Sequence, residues 1–262
     1  MEGMAVKKVG RGTYKQQISD DLRQQIADGT LAPGAKLPTE AKLTDQYGVT
    51  RGTVRAALEI LVNEGLIISA RPVGHFVRDR KPMVVRPQAE FRPRPYTPEM
   101  DAFMTEHEGR APDQKIEVSI WEPSGEVAKR LQLESGELVV ARRRVRHLDG
   151  EPFNINDSFF PLDLVRDSAI MRPENITPGA NETLAELGFR QVRAIDEIYV
   201  RMPTPDEVRR LELGPGTPVA YHVCTGYTED GKPVRVAISV YPGDRHVISY
   251  ERRREAQPDS EA

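Results

Sequence analysis

The sequence predicts an α+β chain of two domains, a winged helix-turn-helix followed by a larger domain around one antiparallel sheet. Three observations predict it. Three short amphipathic helical segments precede a pair of short apolar strands within the first 80 residues, which is the element order of a winged helix-turn-helix. A stretch rich in Pro and Arg follows at 81–96. Beyond it, a helix–turn–hairpin pattern occurs twice.

The elements of residues 1–80 come in order. Tyr14 to Asp28 reads as a helix, with Ile18, Leu22 and Ile26 at four-residue spacing and Gly29 as a stop. A turn at Leu31-Ala32-Pro33-Gly34 leads to Lys36-Leu37-Pro38. Thr39 can cap a second helix, Glu40 to Tyr47, that ends at Gly48. Thr50 can cap a third, Arg51 to Glu64, whose apolar side is Val54, Ala57, Leu58 and Leu61. Leu66-Ile67-Ile68 and His75-Phe76-Val77 read as two strands around Pro72-Val73-Gly74.

The start of the third helix carries chemistry. Arg51 and Arg55 place two guanidiniums four residues apart, Thr50 and Thr53 add hydroxyls, and the first turn has free N–H groups. Gly52 lacks a side chain, so this helix end can approach another surface closely. A helix N-terminus favours phosphate, and Arg suits a two-pronged grip on guanine or phosphate. A solvated charged face is the competing reading; the preceding short helix and the following hairpin favour a DNA reader.

Charge agrees. Residues 1–95 hold 16 Lys and Arg against 10 Asp and Glu, whereas the rest holds 21 against 30. A basic first part predicts a polyanion partner. The chain has no apolar run near the ~18 residues of a membrane span. Its start lacks the apolar core of a signal peptide, and Cys224 is its single cysteine. A cytoplasmic protein without disulfides is expected, with no membrane partner.

The segment Lys81 to Pro95 has four prolines together with Arg86, Arg92 and Arg94. It is expected to be an extended, fairly stiff linker. In the larger part, Leu131, Leu133 and Gly136 recur as Leu211, Leu213 and Gly216, and Asp149-Gly150-Glu151-Pro152 recurs as Asp230-Gly231-Lys232-Pro233. Each copy reads as a strand, a short helix, a Gly turn and a hairpin folded at Asp-Gly. Two copies predict one antiparallel sheet with pseudo-two-fold character.

Period-two alternation over Leu138 to Leu148 puts Arg142, Arg144 and Arg146 on one face. Like charges so close need an answer, either an anionic ligand or the carboxylates of this half. A two-residue turn at Asp149-Gly150 would add Phe153 and Ile155 to that face; a bulge would add Asn156 and Ser158.

From Tyr14 to Val77 the chain resembles the DNA-binding domain of the GntR family of bacterial transcriptional regulators. The resemblance is carried by Leu31 to Glu40, by Tyr47-Gly48-Val49-Thr50-Arg51-Gly52-Thr53-Val54-Arg55-Ala56-Ala57-Leu58, and by Leu61 to Leu66. It implies DNA contacts by Arg51, Thr53 and Arg55 with Thr50 near a phosphate, and adds Thr39 and Glu40 to the DNA-binding set. Two departures stand out: Ala41 replaces the usual Arg, and the wing reads Arg71-Pro72-Val73-Gly74-His75 instead of a Gly-x-Gly-Thr turn. Arg71, Gly74 and His75 are the wing candidates.

From about Thr97 to Glu251 the chain resembles the UTRA effector-binding domain of the HutC subfamily. The features are Arg144-Val145-Arg146 before Asp149-Gly150-Glu151-Pro152, Ser158-Phe159-Phe160-Pro161, and Asp230 to Val234 before Tyr241-Pro242-Gly243-Asp244-Arg245. The resemblance implies a domain at 97–251, with a charged tail at 252–262. It also implies a ligand pocket in each subunit and a homodimer. The candidate effector residues are Arg144, Arg146, Asn156, Ser158, Arg235 and Tyr241. Asn156 and Arg235 stand where sugar-phosphate-binding members carry Glu, which predicts a different, more anionic or larger effector.

His75, His107, His147, His222 and His246 form no metal-ligand spacing, Cys224 reads as a core residue and Trp121 as packed in the sheet. Neither cofactor nor catalytic residue is expected. The main reading is a homodimeric repressor on palindromic double-stranded DNA, controlled by a small-molecule effector. The alternatives are a repressor without a small ligand, and an enzyme like chorismate lyase, whose fold the UTRA domain resembles.

Overall fold

A computed structural model describes residues 12–70, 72–78, 83–88, 103, 109–176 and 179–252. The chain forms two compact units. One comprises Met1–Lys81, Val200–Val219 and Pro242–Arg245; the other comprises Pro82–Tyr199, Ala220–Tyr241 and His246–Ala262.

In the first unit, α1 (Tyr14–Ala27), α2 (Glu40–Tyr47) and α3 (Arg51–Asn63) match the expected helices to within a residue. Their ends follow from capping. The Thr39 hydroxyl accepts from Lys42 N and the Thr50 hydroxyl from Thr53 N, both at 3.3 Å, and Gly48 closes α2 at φ +62°. Ile18, Leu22, Leu43, Val54, Leu58 and Leu61 meet in one core. β1 (Ile67–Ala70) and β2 (Gly74–Val77) form the antiparallel wing, Ile67 opposite Val77 and Ala70 opposite Gly74. Lys36 adds a bridge to Phe76, and Leu37 N donates to His75 O at 2.8 Å, so the turn before α2 is stitched to the wing.

The second unit is built on a six-stranded sheet. Its strands are β4 (Pro112–Trp121), β5 (Val139–Leu148), β6 (Glu151–Pro161), β7 (Arg193–Arg201), β8 (Val219–Tyr227) and β9 (Pro233–Pro242), in the order β4-β5-β6-β9-β8-β7. Residues Val200–Arg201, Val219 and Pro242 at strand ends belong to the first unit. The order is that of the repeat: each copy supplies three neighbouring strands, and the copies join at β6 and β9. There Asn156 faces Ser239 and Ser158 faces Ala237, antiparallel. Asn156 is the repeat counterpart of Ala237, and Ser158 that of Ser239, so the pairing obeys the expected pseudo-two-fold.

One face of the sheet packs Val139, Ala141, Phe159, Val223 and Val236 against α4 (Gly125–Leu131) through Val127 and Leu131. Another core joins Val140 and Phe160 to α5 (Leu162–Val165), Ile170 and Leu184 of α6 (Ala180–Glu186). The counterpart of α4 in the second copy, α7 (Pro205–Arg210), belongs to the first unit. Thr204 caps it, and Glu207 accepts from Thr204 N at 2.8 Å and from both ends of the Arg201 guanidinium at 2.7 Å.

Two expectations change. Trp121 lies at the end of edge strand β4 and is 46% exposed, stacked on Phe159 at 6.4 Å rather than packed within the sheet. Within the Pro- and Arg-rich stretch, β3 (Met83–Val85) pairs in parallel with β10 (His246–Ile248), because the four consecutive non-proline residues Met83 to Arg86 leave backbone donors for a ladder. Residues 81–82 and 89–96 of that stretch, and 253–262 of the tail, lie outside the described residues. Cys224 is buried in β8 as expected.

Candidate DNA interface and effector site

The start of α3 presents Arg51, Gly52 and Arg55 outward, while Val54 enters the core. The Arg51 and Arg55 side chains are 63% and 66% exposed, which leaves their guanidiniums open to a large partner. Glu40, at the first position of α2, holds them in register: its carboxylate accepts from Arg55 Nε at 2.9 and 3.1 Å and lies 3.8 Å from Arg51 Nε. The Thr50 and Thr53 hydroxyls are 3.0 Å apart and serve the cap. A Cβ on Gly52 would meet only the Thr50 hydroxyl, at 3.8 Å, so nothing within the fold requires glycine there. Thr39, Glu40, Thr50, Arg51, Gly52, Thr53 and Arg55 are thus brought together at the facing ends of α2 and α3. Gly74 and His75 sit in β2, and Arg71 lies outside the described residues.

The register of the β5–β6 hairpin decides the second site. The turn is a two-residue one, with Asp149 and Gly150 both at positive φ, the geometry hairpin twist favours. Leu148 faces Glu151 and His147 faces Pro152, yet Arg146 faces Asn154 and Arg142 faces Ser158. Phe153 is the extra residue of a bulge, which turns Asn154, Asn156 and Ser158 onto the arginine face. The same face takes Arg235, Ser239 and Tyr241 from β9.

The three arginines are answered differently. Arg142 is structural: its guanidinium donates to the backbone carbonyls of Ile170 at 3.0 Å, Glu174 at 2.9 Å and Arg172. The segment after α5 turns these carbonyls inward, toward the arginine face. Arg146 stands over the Phe103 ring, 4.7 Å from its centroid. Arg144 donates to Asn156 O at 3.2 Å and to Ser158 Oγ at 2.9 Å. Arg235 reaches the same Ser158 Oγ at 3.3 Å and donates to Asn181 Oδ1 at 2.6 Å. Asn156 donates to Ser239 Oγ at 2.7 Å, and its own buried Oδ1 has no donor among the described residues.

Asn181 and Ser239 were absent from the expected set. Ser239 was findable as the repeat counterpart of Ser158; Asn181 gave no local signal. Tyr241 shares a core with Phe103, and its ring is 6.5 Å from that of His222 and 5.4 Å from that of His246. His222 Nε2 lies 2.8 Å from Asp196 Oδ1. Burial would raise the Asp196 carboxyl, but the hydrogen bond and charge of His222 prevail and hold it below the usual range. Burial, with Asp196, Cys224 and Tyr241 nearby, pushes the Tyr250 phenol up to about 12. Among the described residues no group of three His, Cys, Asp or Glu is placed to hold a metal, and no helix is long and apolar enough to cross a membrane.

A winged helix-turn-helix with exposed arginines at the start of its third helix, on a chain whose sheet buries polar groups on one face, defines a DNA-binding regulator with a separate ligand domain. Residues 107–247 match the UTRA domain family and residues 13–77 match the bacterial regulatory proteins of the gntR family. The chain belongs to the UTRA family and carries a GntR-type head; it is a GntR-family transcriptional regulator.

Similar proteins agree. The mannosyl-D-glycerate transport/metabolism system repressor MngR of Escherichia coli is 28% identical over 95% of this chain and 99% of its own length. The transcriptional repressor NagR of Bacillus subtilis is 29% identical, over 88% and 91%. A crystal structure of a GntR-family transcriptional regulator superposes with a TM-score of 0.64 at 26% identity, covering 93% of this chain and 98% of that one. PhnF of Mycobacterium smegmatis shares the fold, with a TM-score of 0.53 at 19% identity over 92% and 99%. These relatives are regulators, and the enzymatic alternative is set aside.

Proposed function

We propose that the protein is a homodimeric repressor of the HutC type, acting in the cytoplasm on a palindromic operator and controlled by an anionic small molecule. The observation that carries the DNA half is the Glu40 carboxylate between two exposed guanidiniums on the first turn of α3. Arg51 and Arg55 reach base edges or phosphates, Thr50, Thr53 and Thr39 lie beside the backbone, and Gly52 lets the helix end approach. The wing residues Arg71, Gly74 and His75 are the proposed contacts beside that groove. A dimer places two such helices in successive major grooves.

The effector half rests on Arg144 and Arg235 converging on Ser158, with Asn156 beside them. Two cations and neutral donors favour a carboxylate or phosphate over an uncharged sugar. Arg146 and Tyr241 border the same face. In this reading effector occupancy changes the affinity for DNA, which requires that the effector bind the free and DNA-bound forms unequally.

Selection of random duplexes by the full-length protein tests the DNA half; enrichment of an inverted repeat is expected, and no enrichment refutes it. A thermal-shift screen of organic acids and phosphorylated compounds tests the effector half. A ligand at 100 times its Kd adds about 2.7 kcal/mol. A stabilising compound whose effect is lost in Arg235→Ala supports the site. A screen with no anionic hit favours a repressor without a small ligand.

A further inference from the structure

We propose that Arg78 and Asp244 form a latch that fixes the recognition helix to the end of the strand carrying the effector site. The inference rests on the regulator reading above and names how that site is connected to the head. Arg78 follows the wing strand β2, and Asp244 lies three residues beyond Tyr241, in the turn after β9. Their side chains form an ion pair, 13% and 12% exposed. Both lie in the same compact unit as α1–α3. Asp244 also lies 3.9 Å from Arg245 Nε, so the pair is one link of an enclosed charged cluster, and separating partly desolvated charges is costly.

The turn that bears Asp244 is itself held. Gly243 N donates to Pro218 O at 2.8 Å, and Arg245 Nη2 donates to Leu211 O at 3.1 Å. A second contact bears on the recognition helix. Gly216 lies so close to the last residue of α3 that a Cβ there would be 2.4 Å from Asn63 O. One end of α3 therefore carries Arg51 and Arg55, and the other is seated on the turn before β8. The 13-residue helix is a rigid rod, so a shift of that seat is delivered to the arginines.

The repeat shows that this docking is particular to one copy. α7 and the turn after β9 belong with the head, whereas their counterparts, α4 and the segment after β6, belong with the sheet. β9 supplies Arg235, Ser239 and Tyr241 and then runs on into the Asp244 turn. Displacement of β9 at the site has a direct covalent route to the latch. The two states are latched, with the Arg78–Asp244 pair closed and α3 seated on the Gly216 turn, and released, with the pair open.

The test uses the full-length protein with Asp244→Asn, Arg78→Met and the exchanged pair Arg78→Asp with Asp244→Arg. Hydrogen exchange is followed by mass spectrometry. Each single variant is expected to speed amide exchange at 74–78 and 213–217 about tenfold while β5 and β6 stay protected, and the exchanged pair is expected to restore part of the protection. Wild-type exchange in both single variants, or no recovery in the exchanged pair, overturns the latch.

DNA selected from a random duplex pool gives a separate reading. Single variants are expected to tolerate half-site spacings that wild type rejects, with affinity for the best spacing changed less than about threefold. Unchanged spacing preference in both also overturns the proposal. Failure of wild type to select any duplex refutes the regulator reading instead, and the exchange result still decides the latch.

Discussion

Arg144 and Arg235, from strands on opposite sides of β6, donate to one oxygen, Ser158 Oγ, at 2.9 and 3.3 Å. A neutral hydroxyl thus stands between two guanidiniums in the centre of the sheet. Ser158→Ala removes that acceptor and leaves two buried cations facing a methyl group. A loss of about 1–3 kcal/mol in urea unfolding is expected. A variant as stable as wild type would show that the shared oxygen contributes nothing.

Arg142 behaves otherwise. Its donors go to three backbone carbonyls between 170 and 174. Arg142→Met is expected to cost about 2–4 kcal/mol, because the carbonyls lose their partner while the aliphatic stem is replaced. Effector affinity, measured calorimetrically on the folded fraction, should be unaffected. A change in affinity without loss of stability would return Arg142 to the ligand site.

Arg51→Ala and Arg55→Ala are each expected to weaken operator binding by about 1–3 kcal/mol if they read bases. A phosphate contact instead weakens all sequences alike and flattens the salt slope. Titrations at several salt concentrations against operator and scrambled duplex separate the two. Undiminished binding removes that arginine from the interface.

Gly52→Ala separates fold from function in one substitution. Nothing in the protein crowds a Cβ at this helical position, so stability should rise by about 0.5–1 kcal/mol. Operator affinity should fall, because the methyl group meets the approaching backbone. An unchanged affinity would show that the helix end does not approach DNA closely.

Glu207 ties α7 to β7 through Arg201 and the Thr204 cap. Burial raises its pKa, but the Arg201 hydrogen bond and the Thr204 amide outweigh this and hold it low. A carboxyl depressed in the folded state stabilises above its unfolded pKa of about 4.3, and that stability is lost as pH falls through the folded value. Glu207→Gln is therefore expected to cost about 1–3 kcal/mol at neutral pH and progressively less under acid. Equal costs at pH 7 and in acid would contradict the charged role.

The head was legible in detail. Thr39 and Thr50 cap, Gly48 ends α2, and the apolar spacing of α3 returns as its buried stripe; each of these signals acts within a turn or two of itself. The repeat was legible too, as one antiparallel sheet with pseudo-two-fold character; the strand order came from the structure. The hairpin was readable only as two alternatives, since the single extra residue Phe153 decides which face Asn156 and Ser158 share. Among the site residues, Arg144, Asn156, Ser158 and Arg235 converge, and the ring of Tyr241 lies near those of His222 and His246.

By itself the sequence determined the α+β class, the three capped helices, the paired arginines on the first turn of α3 and the doubled helix–hairpin unit. These depend on periodicity, capping and turn chemistry, which are local. Tertiary structure alone decided that Arg142 is spent on carbonyls some thirty residues away, that Asn181 meets Arg235, and that Asp244 pairs with Arg78. Such partners are chosen by how sheet, helices and loops pack. A guanidinium leaves no mark in the sequence of which distant oxygen will satisfy it.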